Sequence, residues 1–374
     1  MSYQARMRMP WLIVTGRTGA CGNTKRTARG SRPRACFPSG FQWLPWRQCN
    51  ARWVRICRLK AFVLALLLLH AGLATGQSFP ARPLRLVVGF TPGGGVDINA
   101  RLLAATLTGL LGQQVIVENK PGAGTNIANE YVAKSVPDGY TLLFNSSAFA
   151  INLALYQNPP YALRDFAGVS VFSESTNLLV VSASLPARSL QEVVALARAH
   201  PGALNYSSAG AGTSQHLVGE LFKLRTGTDI VHVPYKGSAP ALAALVAGEV
   251  QMSFSNTVAI NQHVKSGRLR ALAVAGARRT ALMPEVPTMK EAGVEGVEVP
   301  LWFGMLAPAA TPREIVRILS AAVAKAASSA ELRKRLLEQG AHPVGNTPEE
   351  FDRQLREEVA RWAEVVKVSG ARAD

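Results

Sequence analysis

Runs of glycine and hydroxyl residues recur along the chain, each directly after a short apolar segment. They occupy residues 91–95, 120–125, 209–213 and 234–238. Glycine at a strand-to-helix turn leaves main-chain N–H groups facing outward, and the dipole of the following helix adds roughly half a positive charge at that end. These residues predict the binding of a small anion, such as a carboxylate, by main-chain amides.

The loops do not carry the known nucleotide patterns. Neither residues 91–97 nor residues 120–126 match GxGxxG or GxxxxGK[ST], the two glycine patterns that hold nucleotide phosphates. Nucleotide binding is therefore disfavoured. Lys236, in the last glycine run, either pairs with a bound anion or is an exposed charge.

Residues with the chemistry of catalysts are few. Five histidines follow residue 77, at positions 200, 216, 232, 263 and 342, and they match neither HExxH nor another metal-ligand spacing. No serine lies in GxSxG. Ser214 and His216 flank Gln215 at a predicted helix start, where a serine more often caps the helix than attacks a substrate. We predict a protein that is not an enzyme and that has neither a metal site nor a cofactor.

Short strands and helices alternate around the glycine runs. Residues 84–90 form an apolar strand that leads into the first run, and apolar residues then recur at helical spacing through Leu107. The same order returns over residues 115–133 and 204–247. Alternation of this kind is typical of parallel, doubly wound sheets. The sequence predicts an α/β fold of two similar units, each a mostly parallel sheet flanked by helices.

The last quarter of the chain predicts three amphipathic helices. Residues 311–314 and 347–350 both follow the pattern Thr-Pro-x-Glu, and residues 328–331 form a third capping box. The last helix places Phe351 and Trp362 on one apolar face. We expect this face to pack on the first unit, with Trp362 in the core.

The positive charge is concentrated at the start of the chain. The protein has 374 residues and a net charge of +17, but 13 of its 41 Lys and Arg residues, and none of its 24 acids, precede residue 77. The rest carries 28 bases and 24 acids, a net charge of +4, which gives no support to nucleic-acid binding. All four cysteines also precede residue 77, so no disulfide framework is expected after it.

Residues 1–76 are predicted to be a basic leader followed by a signal peptide. Basic residues precede an apolar run at residues 61–69, and small residues follow it, with cleavage expected near Ala74 or Gly76. This run rises only about 14 Å as a helix, whereas a bilayer core needs about 30 Å. Residues 1–50 are interpreted as the product of a start codon assigned too far upstream, or as a basic tail. We expect export to the periplasm.

Seven short motifs occur in one order along the rest of the chain. They lie at residues 92–97, 119–125, 138–141, 233–237, 269–273, 284–288 and 307–312, and they read PGGGVD, NKPGAGT, DGYT, VPYKG, LRALA, PEVPT and APAATP. In this order the chain resembles the Bug family, the substrate-binding receptors of tripartite tricarboxylate transporters. The resemblance covers about residues 78–370.

The resemblance implies a periplasmic solute-binding receptor of the type II-like, two-domain fold. Domain 1 would comprise residues 77–178 and 300–374, with the C-terminal helices packed on it, and domain 2 residues 179–299. A small organic acid would bind in the cleft between the domains and be delivered to the membrane subunits of the transporter. The protein is expected to be a monomer.

The resemblance also implies which residues form the two walls of the cleft. The first-domain wall would consist of Thr91, Gly94, Gly95, Asp97, Gly124, Thr125, Ser146 and Ser147. The opposite wall would consist of Ser208, Gly210, Gly212, Thr213, His216 and Tyr235. Independently of the family, Asp97 lies in the first turn of a predicted helix, where its carboxylate would cap free amides. Where the family often has an acid, this chain has Gln251 and Ser255, so a contact to a ligand amine is not expected there.

Three other functions are alternatives to uptake. One is a periplasmic co-receptor that presents its ligand to a sensor kinase ectodomain, which the sequence does not distinguish from a transport receptor. Another is a periplasmic enzyme that processes small acids with His216 and a nearby serine, for which no orienting residue is found. The third is nucleic-acid binding through the leader, which the charge distribution disfavours.

Overall fold

The structure is a computed structural model that describes residues 79–373. The predicted leader and signal peptide lie outside these residues. The strands, in chain order, are β1 (Leu84–Val88), β2 (Val115–Asn119), β3 (Thr141–Ser146), β4 (Phe166–Ser175), β5 (Asn177–Ser182), β6 (Asn205–Ser208), β7 (Val231–Pro234), β8 (Met252–Asn256), β9 (Leu269–Val274), β10 (Leu301–Pro308) and β11 (His342–Pro343).

Ten α-helices lie within the described part of the chain. They are α1 (Gly95–Leu111), α2 (Asn126–Ala133), α3 (Ala148–Leu155), α4 (Leu190–Ala199), α5 (Ser214–Thr226), α6 (Ser238–Ala247), α7 (Thr257–Lys265), α8 (Arg313–Ser328), α9 (Ala330–Glu338) and α10 (Pro348–Ser369). None of these ten is both long enough and apolar enough to span a bilayer.

Two sheets organise these elements into two lobes. The first lobe contains a six-stranded sheet of order β11-β4-β10-β3-β1-β2, and the second a five-stranded sheet of order β7-β6-β8-β5-β9. The predicted α/β architecture is confirmed. In the first lobe β1 is parallel to β2 and β3, and in the second β6 is parallel to β7 and β8. Four of these six parallel strands, β1, β2, β6 and β7, are the ones that lead into the glycine runs.

Both sheets are mixed, whereas the sequence predicted mostly parallel ones. β10 is antiparallel to β3 and β4, and β5 is antiparallel to β8 and β9. The antiparallel pairing of β5 follows from the way in which the chain enters the second sheet. Only Thr176 separates β4 from β5, although the two strands lie in different sheets, and β5 begins at Asn177 opposite Asn256, where β8 ends. The chain therefore passes directly from one sheet into the other.

Local capping explains where two of the helices begin. The hydroxyl of Ser189 accepts a hydrogen bond from the N–H of Glu192 at the start of α4. Thr347 and Glu350 form the predicted reciprocal capping box at the start of α10. In α9, however, the cap is Ser329, one residue later than the box predicted from residues 328–331.

The last helix, α10, packs against the cores of both lobes. Phe351 and Leu355 join the first-lobe cluster that includes Trp302. About two turns further on, Trp362 is buried, as predicted, but in the cluster built mainly from the second lobe. The C-terminal helices therefore pack on the first lobe, and α10 also extends beyond it to the second.

A buried carboxylate connects these two clusters. Glu358 of α10 accepts hydrogen bonds from the indole N–H of Trp302, at 2.8 Å, and from that of Trp362, at 3.4 Å. Burial raises the pKa of Glu358, and the hydrogen bonds from the two indoles and from Gln354 oppose this rise. The carboxylate is thus held where the two lobes meet along α10.

Candidate functional site

A cavity of about 190 Å³ lies between loops of the two lobes. The first lobe contributes the segments after β1 and β2, and the second lobe those that follow β6 and end β7, with Tyr156 at the end of α3. The lining residues are Gly89, Phe90, Gly122, Ala123, Gly124, Thr125, Tyr156, Ala209, Gly210, Ala211, Pro234, Tyr235 and Lys236. Most of this wall is main chain, because glycine and alanine predominate in it.

The first-lobe wall has an unusual backbone. Gly122, Ala123, Gly124 and Thr125 all have positive φ, at 134°, 45°, 60° and 89°. A β-branched residue with positive φ is a strained conformation that persists only when its surroundings impose it. Strain of this kind concentrates at functional sites, so its position in the cavity wall supports a ligand-binding role for this loop.

Carboxamide side chains hold this loop in place. The buried hydroxyl of Thr125 accepts hydrogen bonds from the Nδ2 atoms of Asn129 and Asn145, both at 3.2 Å, and from that of Asn152 at 3.4 Å. Asn152 also donates to the carbonyl oxygen of Gly124. Since carboxamides do not titrate, this support does not change between acid and neutral pH.

The second-lobe wall is held by hydroxyl, carboxamide and imidazole groups. The N–H of Ala209 donates to Gln215 Oε1 at 2.7 Å, and the N–H of Gly210 donates to the hydroxyl of Ser208 at 3.1 Å. Ser208 Oγ in turn lies 2.6 Å from His232 Nε2. The loop is thus fixed from behind by side chains of the second lobe.

Three stacked rings form that support. The ring of His232 lies between those of Tyr206, at 4.8 Å, and His216, at 4.3 Å. His216 Nδ1 accepts from the N–H of Gly212 at 3.3 Å. Burial, with smaller effects from the neighbouring His216 and Lys223, lowers the pKa of His232 to about 3. His232 is therefore neutral at pH 7.

Four of the predicted site residues line the cavity: Gly124, Thr125, Gly210 and Tyr235. Thr91, Gly94 and Gly95 lie instead at the contact between the lobes. A Cβ atom at Gly94 would lie 3.4 Å from Cβ of Ser238, and one at Gly95 would lie 2.5 Å from Asn256 Oδ1.

Asp97 is engaged within its own lobe. Its Oδ2 accepts from the N–H of Gly93 and from Arg101 Nε, both at 2.9 Å, and its Oδ1 accepts from Asn119 Nδ2 at 2.8 Å. Burial would raise the pKa of this carboxyl, but the hydrogen bonds from Arg101, Gly93 and Asn119 outweigh it and the pKa is lowered. The carboxylate thus has a structural role, but the amide that it binds, that of Gly93, precedes the helix instead of lying in its first turn.

The other predicted residues lie behind the cavity walls. Ser146 and Ser147 are buried at the end of β3, where the hydroxyl of Ser146 accepts from the N–H of Ala148 at 3.4 Å. Thr213 caps α5 by accepting from the N–H of His216 at 3.3 Å. Ser208, Gly212 and His216 belong to the support of the second-lobe wall described above.

Several lining residues were not among the predicted site residues. Gly89 and Phe90 follow β1 directly, and Ala209 and Ala211 have no functional side chain that a sequence pattern could reveal. Tyr156 lies outside every glycine run. Lys236 was considered as an anion partner from its loop alone, and the structure places it in the cavity lining.

Close packing across the cleft shows that the two lobes are closed. A Cβ atom at Gly124 would lie 2.5 Å from the carbonyl oxygen of Ala211, one at Gly212 would overlap Asn152 Oδ1, and one at Gly237 would overlap the hydroxyl of Thr91. Gly124 and Gly212 also have positive φ, at 60° and 74°. Glycine is required at these positions for both backbone conformation and space.

The side chains near the cavity do not form a nucleophile and base pair suited to catalysis. Ser208 is fully buried, and its imidazole partner His232 has a pKa of about 3, far below that of an effective base at neutral pH. Within residues 79–373, no group of three or more His, Cys, Asp or Glu side chains is arranged to hold a metal ion. The arrangement is suited to enclosing a small solute.

Other cavities in the described residues are less suited to a ligand. One of about 610 Å³ beside Tyr131 is lined by Arg82, Arg85 and Lys134, and each of these bases is paired with an acid of the protein. One of about 250 Å³ lies beside the segments that connect the sheets. The cavity between the glycine loops is bounded by the strained main chain of residues 122–125.

Two α/β lobes that close over a cavity define a two-domain solute-binding protein. Comparison with known proteins agrees: the family profile TctC, the tripartite tricarboxylate transporter family receptor, matches residues 99–371. The chain belongs to this family of periplasmic solute-binding receptors, as the Bug-family motifs predicted.

Individual proteins are similar to this chain over most of its length. Protein BugT of Bordetella pertussis is 39% identical over 316 residues, which cover 83% of this chain and 97% of that protein. The solved structure of R. palustris Rpa4515 with adipate is 40% identical, covers 79% of this chain and 99% of its own, and has a TM-score of 0.77. MatC from Rhodopseudomonas palustris with bound malate is 34% identical, covers 77% and 100%, and has a TM-score of 0.74.

Proposed function

We propose that the protein captures a small organic acid in the cavity between its lobes and delivers it, unaltered, to the membrane subunits of a tripartite tricarboxylate-type transporter. The observation that carries the proposal is the 190 Å³ cavity enclosed by glycine loops of both lobes. Only contacts made to both lobes at once favour the closed state, so a ligand held there shifts the population toward closure.

The chemistry of the wall favours an acid group. Main-chain amides at strand ends and the N-termini of α2 and α5 create a positive local potential, and no acidic side chain lines the cavity among the described residues. Similar proteins have been solved with adipate and malate. The proposed role is therefore non-enzymatic binding, by a monomer with domain limits at residues 178 and 300.

Ligand binding is tested on the exported form, from residue 77 onward. Native mass spectrometry shows whether an acid copurifies, and thermal unfolding with adipate or malate shows whether either stabilises the protein. A ligand present at 100 times its dissociation constant should add about 2.7 kcal/mol to the free energy of unfolding. Turnover of the acid by purified protein would contradict the proposed role.

Transport is tested separately. A strain that lacks the receptor should lose uptake of the acid that binds, and a chain with residues 77–374 restored behind a functional signal peptide should recover it. Normal uptake in the deletion strain, together with loss of an acid-dependent transcriptional response, would favour the co-receptor role instead.

A further inference from the structure

Lys236 is the charged residue in the cavity lining. The other lining residues of the described chain are glycine, alanine, proline, threonine, phenylalanine and tyrosine. Lys236 is exposed and lies within 4.0 Å of no acidic group among residues 79–373. By contrast, Lys120, next to the other glycine loop, pairs with Glu118 at 2.8 Å and lies over the ring of Tyr131. Among the described lining residues, Lys236 is thus the one cation left for a ligand.

The position of Lys236 is set by both lobes. On one side, the N–H of Tyr235 donates to the carbonyl oxygen of Ser208 at 3.1 Å, which attaches the loop to the second-lobe wall. On the other side, Gly237 has φ 147° and packs so closely on Thr91 of the first lobe that a side chain at this position would overlap its hydroxyl. Closure of the lobes therefore sets the backbone position from which the side chain of Lys236 extends.

The two walls consequently offer different partners to an anion. The first-lobe loop at residues 122–125 presents main-chain groups without a formal charge, because the hydroxyl of Thr125 is buried, and the second-lobe loop presents an ammonium group. One carboxylate of the ligand can be bound by the main-chain amides of the first-lobe wall alone. A second carboxylate at the other end of a ligand needs a counter-charge, because removing an ion from water is costly unless the ion is paired.

We propose that Lys236 is a specificity-determining residue, which makes the receptor prefer acids with two negative charges to acids of the same length with one. This inference rests on the proposed binding function. In this proposal, the second carboxylate of the ligand is recognised by one side chain of the second lobe, that of Lys236. The ammonium group acts as a point charge, so it requires charge and approximate reach rather than a particular geometry of the ligand.

The test compares Lys236→Met with Lys265→Met, a matched variant of an exposed lysine in the same lobe that lines no part of the cavity. Calorimetric titration uses two pairs of probes: adipate with hexanoate, and malate with 3-hydroxybutyrate. Each pair has the same carbon chain and differs by one carboxylate. Wild type and Lys265→Met should bind the dianion of a pair more tightly.

In Lys236→Met, the affinity for the dianion should fall by about tenfold or more, as expected for a lost charge-assisted contact, and that for the monoanion by less than about twofold. Lys236→Arg should retain most of the preference, since it keeps the charge. The preference of wild type should also weaken as salt is raised.

A different pattern would overturn the inference. Equal losses for dianion and monoanion in Lys236→Met indicate a structural role for the lysine, and an unchanged dianion affinity removes the lysine from recognition. In both cases the binding function stands. If wild type binds neither adipate nor malate, the proposed acid-binding function fails as well, so the two failures are distinguished.

Discussion

The two walls of the cavity are held in place by different chemistry. The first-lobe loop is strained, and neutral carboxamides of Asn129, Asn145 and Asn152 fix it through the hydroxyl of Thr125. The second-lobe loop is fixed through Ser208 by an imidazole, His232, in a ring stack. The carboxamides that support the first-lobe wall thus cannot titrate, whereas the imidazole that supports the second-lobe wall can.

This difference indicates which properties each wall controls. The first wall provides a pre-formed, pH-independent surface for an acid group. The second wall carries the charge of Lys236 and depends on neutral histidine behind it. Closure brings the two together through glycine contacts that leave no room for side chains. The predictions below test first the closure that unites the walls and then each wall in turn.

Gly212→Ala should have the largest effect. A methyl group here would overlap Asn152 Oδ1, which lies across the cleft, so the closed state should become inaccessible. We expect the affinity for adipate to fall by about 100-fold or more, because the competent state is depopulated. Calorimetric titration measures this loss.

Gly227→Ala is the matched control for that variant. Gly227 also has positive φ, at 60°, and a Cβ atom added there would have no other atom within 4 Å, so backbone strain is reproduced without the overlap. Its adipate affinity should equal that of wild type. Equal losses in the two variants would show that backbone strain, rather than closure, accounts for the effect.

Thr125→Val tests the first wall. The change removes the acceptor shared by Asn129, Asn145 and Asn152, and leaves buried amide donors unpaired. The free energy of unfolding should fall by about 1–3 kcal/mol, measured by urea unfolding. Because no titrating group is involved, the loss should be the same at pH 5 and pH 7.

Thr106→Val serves as its control, since the Thr106 hydroxyl donates only to the carbonyl oxygen one turn earlier in α1. Its effect should remain within about 0.5 kcal/mol. A loss in Thr125→Val that grows as the pH falls would contradict the distinction drawn between the walls.

His232→Gln tests the second wall and should have the smallest effect. The pKa of His232 is lowered to about 3 in the folded protein, whereas an unfolded histidine titrates near 6.5. Between these values the unfolded state binds the proton and the folded state does not, so stability is full above about pH 6.5 and is lost as the pH falls. Removing the imidazole should make this loss smaller by about 1 kcal/mol between pH 7 and pH 5.

The measurement is the free energy of unfolding in urea at several pH values, and the slope against pH is compared rather than the absolute stability. His200→Gln, which makes the same replacement at an exposed histidine at the end of α4, is the control for the substitution itself. Parallel curves for wild type and His232→Gln would show that this imidazole does not titrate between the two states.

Local patterns in the sequence were sufficient to predict much of the fold. Apolar runs that end in glycine predicted the parallel strands and the helices after them, and the Thr347 box predicted the start of α10. These features depend on neighbours within a few residues. The antiparallel placement of β5 and β10 was not predictable in this way, because it follows from the path of the chain between the two sheets.

The lining of the cavity was likewise predictable only in part from the sequence. The sequence alone determined that glycine loops follow the strands, and the family motifs indicated which loops face the cleft. Only the tertiary structure decided that Gly124, Thr125, Gly210 and Tyr235 line the cavity, while Thr91, Gly94 and Gly95 form the contact between the lobes. Which part of each loop lies against a ligand depends on how the two lobes close, and the contacts between them join residues 60 or more positions apart in the chain.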